Sequence, residues 1–209
     1  MNGLVSNSLI MPEHSQHCRA CKERVREFLT AIYGLCYVNR SFPWPAKPED
    51  YGQSPIGAAL GRIATGLGEL RGHRDFIKSA LMPPCDFYIS SPPFILEFDE
   101  SQHFSRPRLV TLSLYPEEVK LGFPLHRWQE LCREIDTRDD EPFDRDERRA
   151  WYDTLRDLVP CAHGFQPTVR LYAGEFQWCA LDATSGRDRE VFAGLMNDRL
   201  PPRIRKHNR

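Results

Sequence analysis

Residues 86–104 read Asp86-Phe87-Tyr88-Ile89-Ser90-Ser91-Pro92-Pro93-Phe94-Ile95-Leu96-Glu97-Phe98-Asp99-Glu100-Ser101-Gln102-His103-Phe104. Two short apolar-rich runs, 86–89 and 94–98, flank a Ser-Ser-Pro-Pro step with the composition of a turn. The pattern predicts two adjacent antiparallel strands in a central sheet. Residues two apart on a strand share a face, so Glu97 and Asp99 stand side by side. Carboxylates that close repel one another unless something cationic neutralises them. Two solutions stay open: a solvated or arginine-paired face, or a divalent metal. Mg²⁺ prefers carboxylate oxygens and water. Asp86 heads the neighbouring strand and adds a third oxygen ligand if the hairpin register permits.

Outward from this hairpin, Val25, Phe28, Leu29 and Ile32 recur at helical spacing over 19–33, and Gly34 stops the pattern. A short strand is expected at 35–38 and a proline-rich loop at 42–55. Ile56, Leu60, Ile63, Leu67 and Leu70 mark a second helix, weakened by its glycines. Further helices are expected at 125–135 and 147–158, with a charged loop at 136–146 between them. Strands are expected at 168–172 and 176–181, and a C-terminal helix and basic tail over 183–209. The order implies one α/β or α+β domain over 1–209, a mixed sheet with helices on its faces. Within it, 12–40 holds the first helix and strand, 42–81 a helical insertion and 82–182 the core.

A chain of 209 residues can bury a core of ordinary size. No apolar run is long enough for a membrane span. Residues 1–11 lack the basic cluster of a secretory signal. Seven cysteines is an odd number, which argues against a disulfide scaffold and for a cytoplasmic setting with reduced thiols. Cys36, Cys85, Cys132 and Cys179 have apolar neighbours and read as core residues. The net charge of −1 means that any nucleic-acid surface is a local patch.

Asp86-Phe87-Tyr88 followed by Glu97-x-Asp99-Glu100-x-Gln102-His103 resembles a restriction-endonuclease-like family with the pattern Asp-Phe-Tyr, then Glu-x-Asp-Gly-x-Gln-His. The chain is also similar to very-short-patch-repair endonucleases of the PD-(D/E)XK superfamily. Glu23, the Gly34-Leu35 step and Asp86-Phe87 fall at matching positions. The match spans about the central half of the chain. Glu100 stands where the family has glycine, and Pro84 is displaced by one position from the usual Pro-Asp step. Asp99 stands where the superfamily usually has lysine. The resemblance implies a core ordered helix, three strands, helix, strand, and a Mg²⁺- or Mn²⁺-dependent hydrolysis of phosphodiester bonds in DNA. It implies Asp86, Glu97 and Asp99 as metal ligands, Gln102 near the metal, and His103 as general base or water-positioning group. Glu23 enters the candidate set by the alignment alone; on a charged helix it reads as solvated.

Two further features carry expectations. Cys18-x-x-Cys21 has the bite of a zinc pair, and Cys161-x-His163 could complete a structural Zn²⁺ site. The alternative is two unligated thiols at a helix start. Arg106, Arg108, Arg148 and Arg149 are the candidate phosphate contacts, with further arginines in the tail. The leading expectation is a DNA endonuclease of restriction, repair or defence, acting alone, as a homodimer or with a protein partner. The competing ones are a zinc-stabilised nucleic-acid-binding module with an inactive nuclease fold, and an interaction subunit whose acidic pair is a surface feature.

Overall fold

The computed structural model of the chain describes residues 19–201. Its elements are α1 (Arg19–Tyr33), β1 (Cys36–Arg40), α2 (Gly57–Leu70), β2 (Cys85–Ser90), β3 (Pro93–Asp99), α3 (Arg106–Ser113), α4 (Leu125–Ile135), α5 (Arg145–Ala162), β4 (Val169–Tyr172) and α6 (Gly186–Arg199). The four strands form one mixed sheet in the order β1-β2-β3-β4. The first two pairings are antiparallel and β3–β4 is parallel.

The central hairpin forms where its turn composition places it, with Phe87 opposite Leu96 and Ser90 opposite Pro93. The first helix ends at Gly34, whose φ of +87° is costly for a residue with a Cβ and whose N–H reaches the Thr30 carbonyl at 3.0 Å.

Alternation along β3 divides the core into two layers. Phe94, Leu96 and Phe98 point to one face, with Phe87, Ile89, Val169 and Leu171. Helices α1 and α6 cover that face, and their Phe28 and Phe192 rings stack at 4.9 Å. The opposite face carries Ile95, packed with residues of α2 to α5 such as Leu60, Leu112, Trp128 and Leu155. Glu97, Asp99 and, from β4, Arg170 alternate onto this second face and are almost fully buried there. Cys85 and Cys132 are buried, and Cys36 and Cys179 partly so.

Three elements differ from the sequence reading. Residues 176–181 form no strand but a 3-10 turn at Trp178–Ala180. Trp178 is buried edge-on against Phe98, and its indole donates to the Tyr172 carbonyl at 3.1 Å, so aromatic anchoring overrides β alternation. Helix α3 was not expected. Its signals are Ser105 at the N-cap, which accepts from the Arg108 N–H, and Pro107 in the first turn. Helix α5 begins at Arg145, inside the expected loop, and runs on to Ala162. No helix among the described residues is long and apolar enough to cross a membrane.

Candidate active site

The β2–β3 register, continued past Phe87–Leu96, brings Asp86 opposite Glu97. Here side chains replace the backbone ladder. The Asp86 N–H donates to Glu97 Oε1 at 3.1 Å, and the Phe98 N–H donates to Asp86 Oδ2 at 3.0 Å. Each carboxylate is therefore held by the other strand's backbone, and the two acids are fixed as a unit. The other Asp86 oxygen meets the Lys22 ammonium, which reaches over from α1 and also lies 6.0 Å from the Phe87 ring centre.

The two acids differ in exposure. The Asp86 side chain is 21% exposed, whereas Glu97 as a residue is only 4% exposed. Burial pushes the Glu97 carboxyl up to about 7, against the pull of Arg156, and the nearby Asp86 charge adds to the rise. Arg156 stands 3.5 Å from Glu97 Oε1 through its Nε, a buried nitrogen that makes no hydrogen bond. Its Nη1 is 3.3 Å from Asp153.

Asp99 shares the face with Glu97, as strand alternation requires, but it is not placed as a metal ligand. Arg170 Nη1 donates to its Oδ1 at 2.6 Å and the Trp128 indole to its Oδ2 at 2.7 Å. An arginine from the neighbouring strand, opposite Glu97 in register, therefore relieves the repulsion expected of the pair. Arg170 also donates to Asp157 at 2.6 Å and lies 3.3 Å from Asp153. Arg108 joins the same network, 2.6 Å from Asp157 and 2.9 Å from the Tyr115 hydroxyl. Among the described residues no group of three or more His, Cys, Asp and Glu side chains is placed to hold a metal ion.

His103 belongs to this network. Its Nδ1 is 2.9 Å from Asp153 and 3.7 Å from Asp99, and it reaches Glu97 only through Asp153 and Arg156. Burial alone would hold the imidazole down. The Asp153 carboxylate beside it, with Asp99, outweighs burial and raises its pKa above the usual 6.5. An imidazole held protonated is a poorer general base and a better cation or acid. Asp153→Asn is expected to bring the His103 titration down, read by NMR of the ring protons. A titration that stays put would mean that Asp153 is not the controlling partner.

Gln102 lies in the 3-10 turn Ser101–His103. Its side-chain amide donates to Glu100 at 3.0 Å and its backbone carbonyl accepts from Arg149. Glu23 is exposed on α1, one residue from Lys22, and pairs with Arg26 Nε at 2.9 Å.

Three expectations about partners are corrected. Arg108 is 1% exposed and committed to Asp157, so it offers nothing to a phosphate. Arg149 is engaged by Asp139, Asp146 and the Gln102 backbone carbonyl, and Arg148 by Asp144, so acids of α5's first turn and of the loop before it take up both arginines. Only Arg106, at the start of α3, is exposed. The third is the four-ligand zinc set. Cys21 packs in the layer beneath α1, whereas His163 stacks on Trp44 at 4.7 Å in the opposite layer, at the end of the helix that carries Cys161. The sheet lies between them, and ligands of one zinc ion must all come within about 2.0–2.3 Å of it. Cys18 and the basic tail, including Arg203 and Arg205, lie outside the described residues.

Sequence reasoning missed Lys22, Asp153 and Arg170, and read Arg156 as a phosphate contact rather than as the neighbour of Glu97. Lys22 pairs with Asp86 across 64 residues and Arg170 with Asp99 across 71, so no local spacing marks them. Compared with protein-family models, with curated proteins and with solved structures, the chain matches none.

Proposed function

We propose that the protein is a metal-dependent nuclease of the restriction-endonuclease-like type, hydrolysing phosphodiester bonds in DNA. The observation that carries this reading is the Asp86–Glu97 unit, two carboxylates locked together across adjacent antiparallel strands with Lys22 at its mouth. The element order, a helix, three antiparallel strands with α2 inserted between the first and second, helices and a parallel strand, accords with the resemblance once α2 is taken as an insertion. Asp99, which stands in the usual lysine position, serves the core instead. Lys22 brings the lysine charge to the site from α1.

The donors fit a hard cation. Asp86 and Glu97 offer only oxygens, and Mg²⁺ is commonly held by one or two carboxylates together with water and substrate phosphate. When bound, Mg²⁺ supplies charge stabilisation at the phosphoryl oxygens and a lowered pKa for the attacking water. Asp86 and an ionised Glu97 would hold the ion, and Lys22, which pairs with Asp86 in its absence, would supply a positive charge for the phosphate. His103, whose pKa the Asp153 carboxylate raises, is suited to holding charge at the edge of the site.

The test is a cleavage assay on single- and double-stranded DNA with Mg²⁺ or Mn²⁺, and with the metal omitted. Cleavage should require metal and disappear in Asp86→Ala. It should rise with pH up to about 7 and level off above it, because the ionised Glu97 is the ligand. Cleavage unchanged in both Asp86→Ala and Glu97→Ala would sink the assignment.

A second reading, a nucleic-acid-binding module that keeps the nuclease fold without the activity, draws on one observation: Lys22 and the Phe98 N–H already occupy both Asp86 oxygens. It predicts DNA binding without metal-dependent cleavage.

A further inference from the structure

We infer that the groove between α1 and the edge strand β1 is the cradle for one strand of DNA, its phosphates held by Arg19, Lys22 and Arg26. The inference rests on the nuclease reading and adds where the substrate lies. The groove has a volume of about 490 Å³, and Val38, Asn39 and Phe87 form its other wall. Arg19, Lys22 and Arg26 are spaced i, i+3, i+7, which places them along one face of α1. That row spans about 10 Å of helix axis, the reach of about three successive phosphates along one strand of a duplex.

Three observations favour this face over α3 and α5, where the sequence reading puts the contacts. Two of the three α1 cations, Arg19 and Arg26, are exposed. Arg26 pairs with Glu23 between side chains that are both nearly half exposed, a weakly held surface pair. Arg19 is exposed at the start of α1. By contrast, Arg108, Arg148 and Arg149 are tied to acids of the core, of α5 or of the loop before it. Secondly, Lys22 belongs to the groove and to Asp86 at once, so a strand lying in the groove leads straight to the acidic unit. Thirdly, Val38 is 44% exposed and offers an apolar surface to the sugars while the cations take the phosphates. Glu23 and Glu100 also line the groove, which confines phosphate contact to the arginine–lysine row.

The experiment is fluorescence anisotropy with a labelled DNA oligonucleotide in EDTA, single-stranded and duplex, across a salt series. The protein carries R19E and R26E together, or R133E on α4 as a single-reversal control outside the groove. The double variant should bind at least tenfold more weakly. The slope of log affinity against log salt should fall by about two for the duplex. R133E should bind like the parent. Thermal melting checks that the double variant is folded; if it is not, the neutral pair R19Q and R26Q, expected to weaken binding in the same direction, replaces it. Unchanged binding and slope in the folded variant overturn the inference, as does a parent protein that binds no DNA at low salt. A parent that binds through this groove but cleaves nothing overturns the nuclease reading and keeps the cradle. A parent that cleaves while the variants bind normally does the reverse.

Discussion

Arg170→Met is expected to cost about 3–5 kcal/mol of folding stability, the scale of removing one partner from a buried ion pair. That is a large share of the roughly 5–15 kcal/mol that holds a typical domain. Arg170 is completely buried and serves Asp99, Asp153 and Asp157 together. Methionine fills much of its volume but leaves three carboxylates short of their common cation in a low-dielectric core. Arg108 and Trp128 still reach Asp157 and Asp99, so the charge is lessened rather than cancelled. The carboxyls of the variant are pushed up, and a raised folded pKa contributes stability at low pH that is lost as pH rises. The loss should therefore be larger at pH 8 than at pH 5, measured by the urea midpoint at each pH. A variant as stable as the parent at both would mean that the network is neutral overall and does not hold the α5 layer to the sheet.

Glu97→Gln is expected to remove cleavage and, at the same time, to stabilise the metal-free protein above neutral pH. Burial lifts the Glu97 carboxyl to about 7 from an ordinary 4.5. Because its folded pKa is the higher one, its contribution is fully present below about 4.5 and is lost as pH rises through about 7. At pH 8 the buried charge then costs on the order of 1–3 kcal/mol, which glutamine avoids while its carbonyl still accepts the Asp86 N–H. Thermal melting at pH 4.5 should show parent and variant alike; at pH 8 the variant should melt higher. Added Mg²⁺ should narrow that gap, because an ion that binds only the folded parent stabilises it by mass action. A variant less stable than the parent at pH 8 would show instead that Glu97 is a well-paired structural acid, held by Arg156. The opposite signs of the two variants separate the acids: Asp99 and its arginine build the core, whereas Glu97 is held at a cost.

Local periodicity was enough to place α1 and α4 with the bounds the structure has, and to place the β2–β3 hairpin to within a residue or two at each end. It was enough because those signals are local: apolar residues three and four apart, a glycine stop, a Ser-Ser-Pro-Pro turn. The pairing of Asp86 with Glu97 was legible to the extent that a hairpin register can be read from its turn. Strand alternation also put Glu97 and Asp99 on one face, and left open whether a metal or an arginine would neutralise them. Only the tertiary structure decided between these for Asp99, because the answer lies in Arg170, on a strand that pairs alongside β3 after three intervening helices. The same holds for Lys22 at Asp86, for the burial of Arg108, and for the sheet that separates Cys21 from His163. Charge neutralisation acts through space over a few ångströms, and the residues that provide it here are separated by tens of positions along the chain.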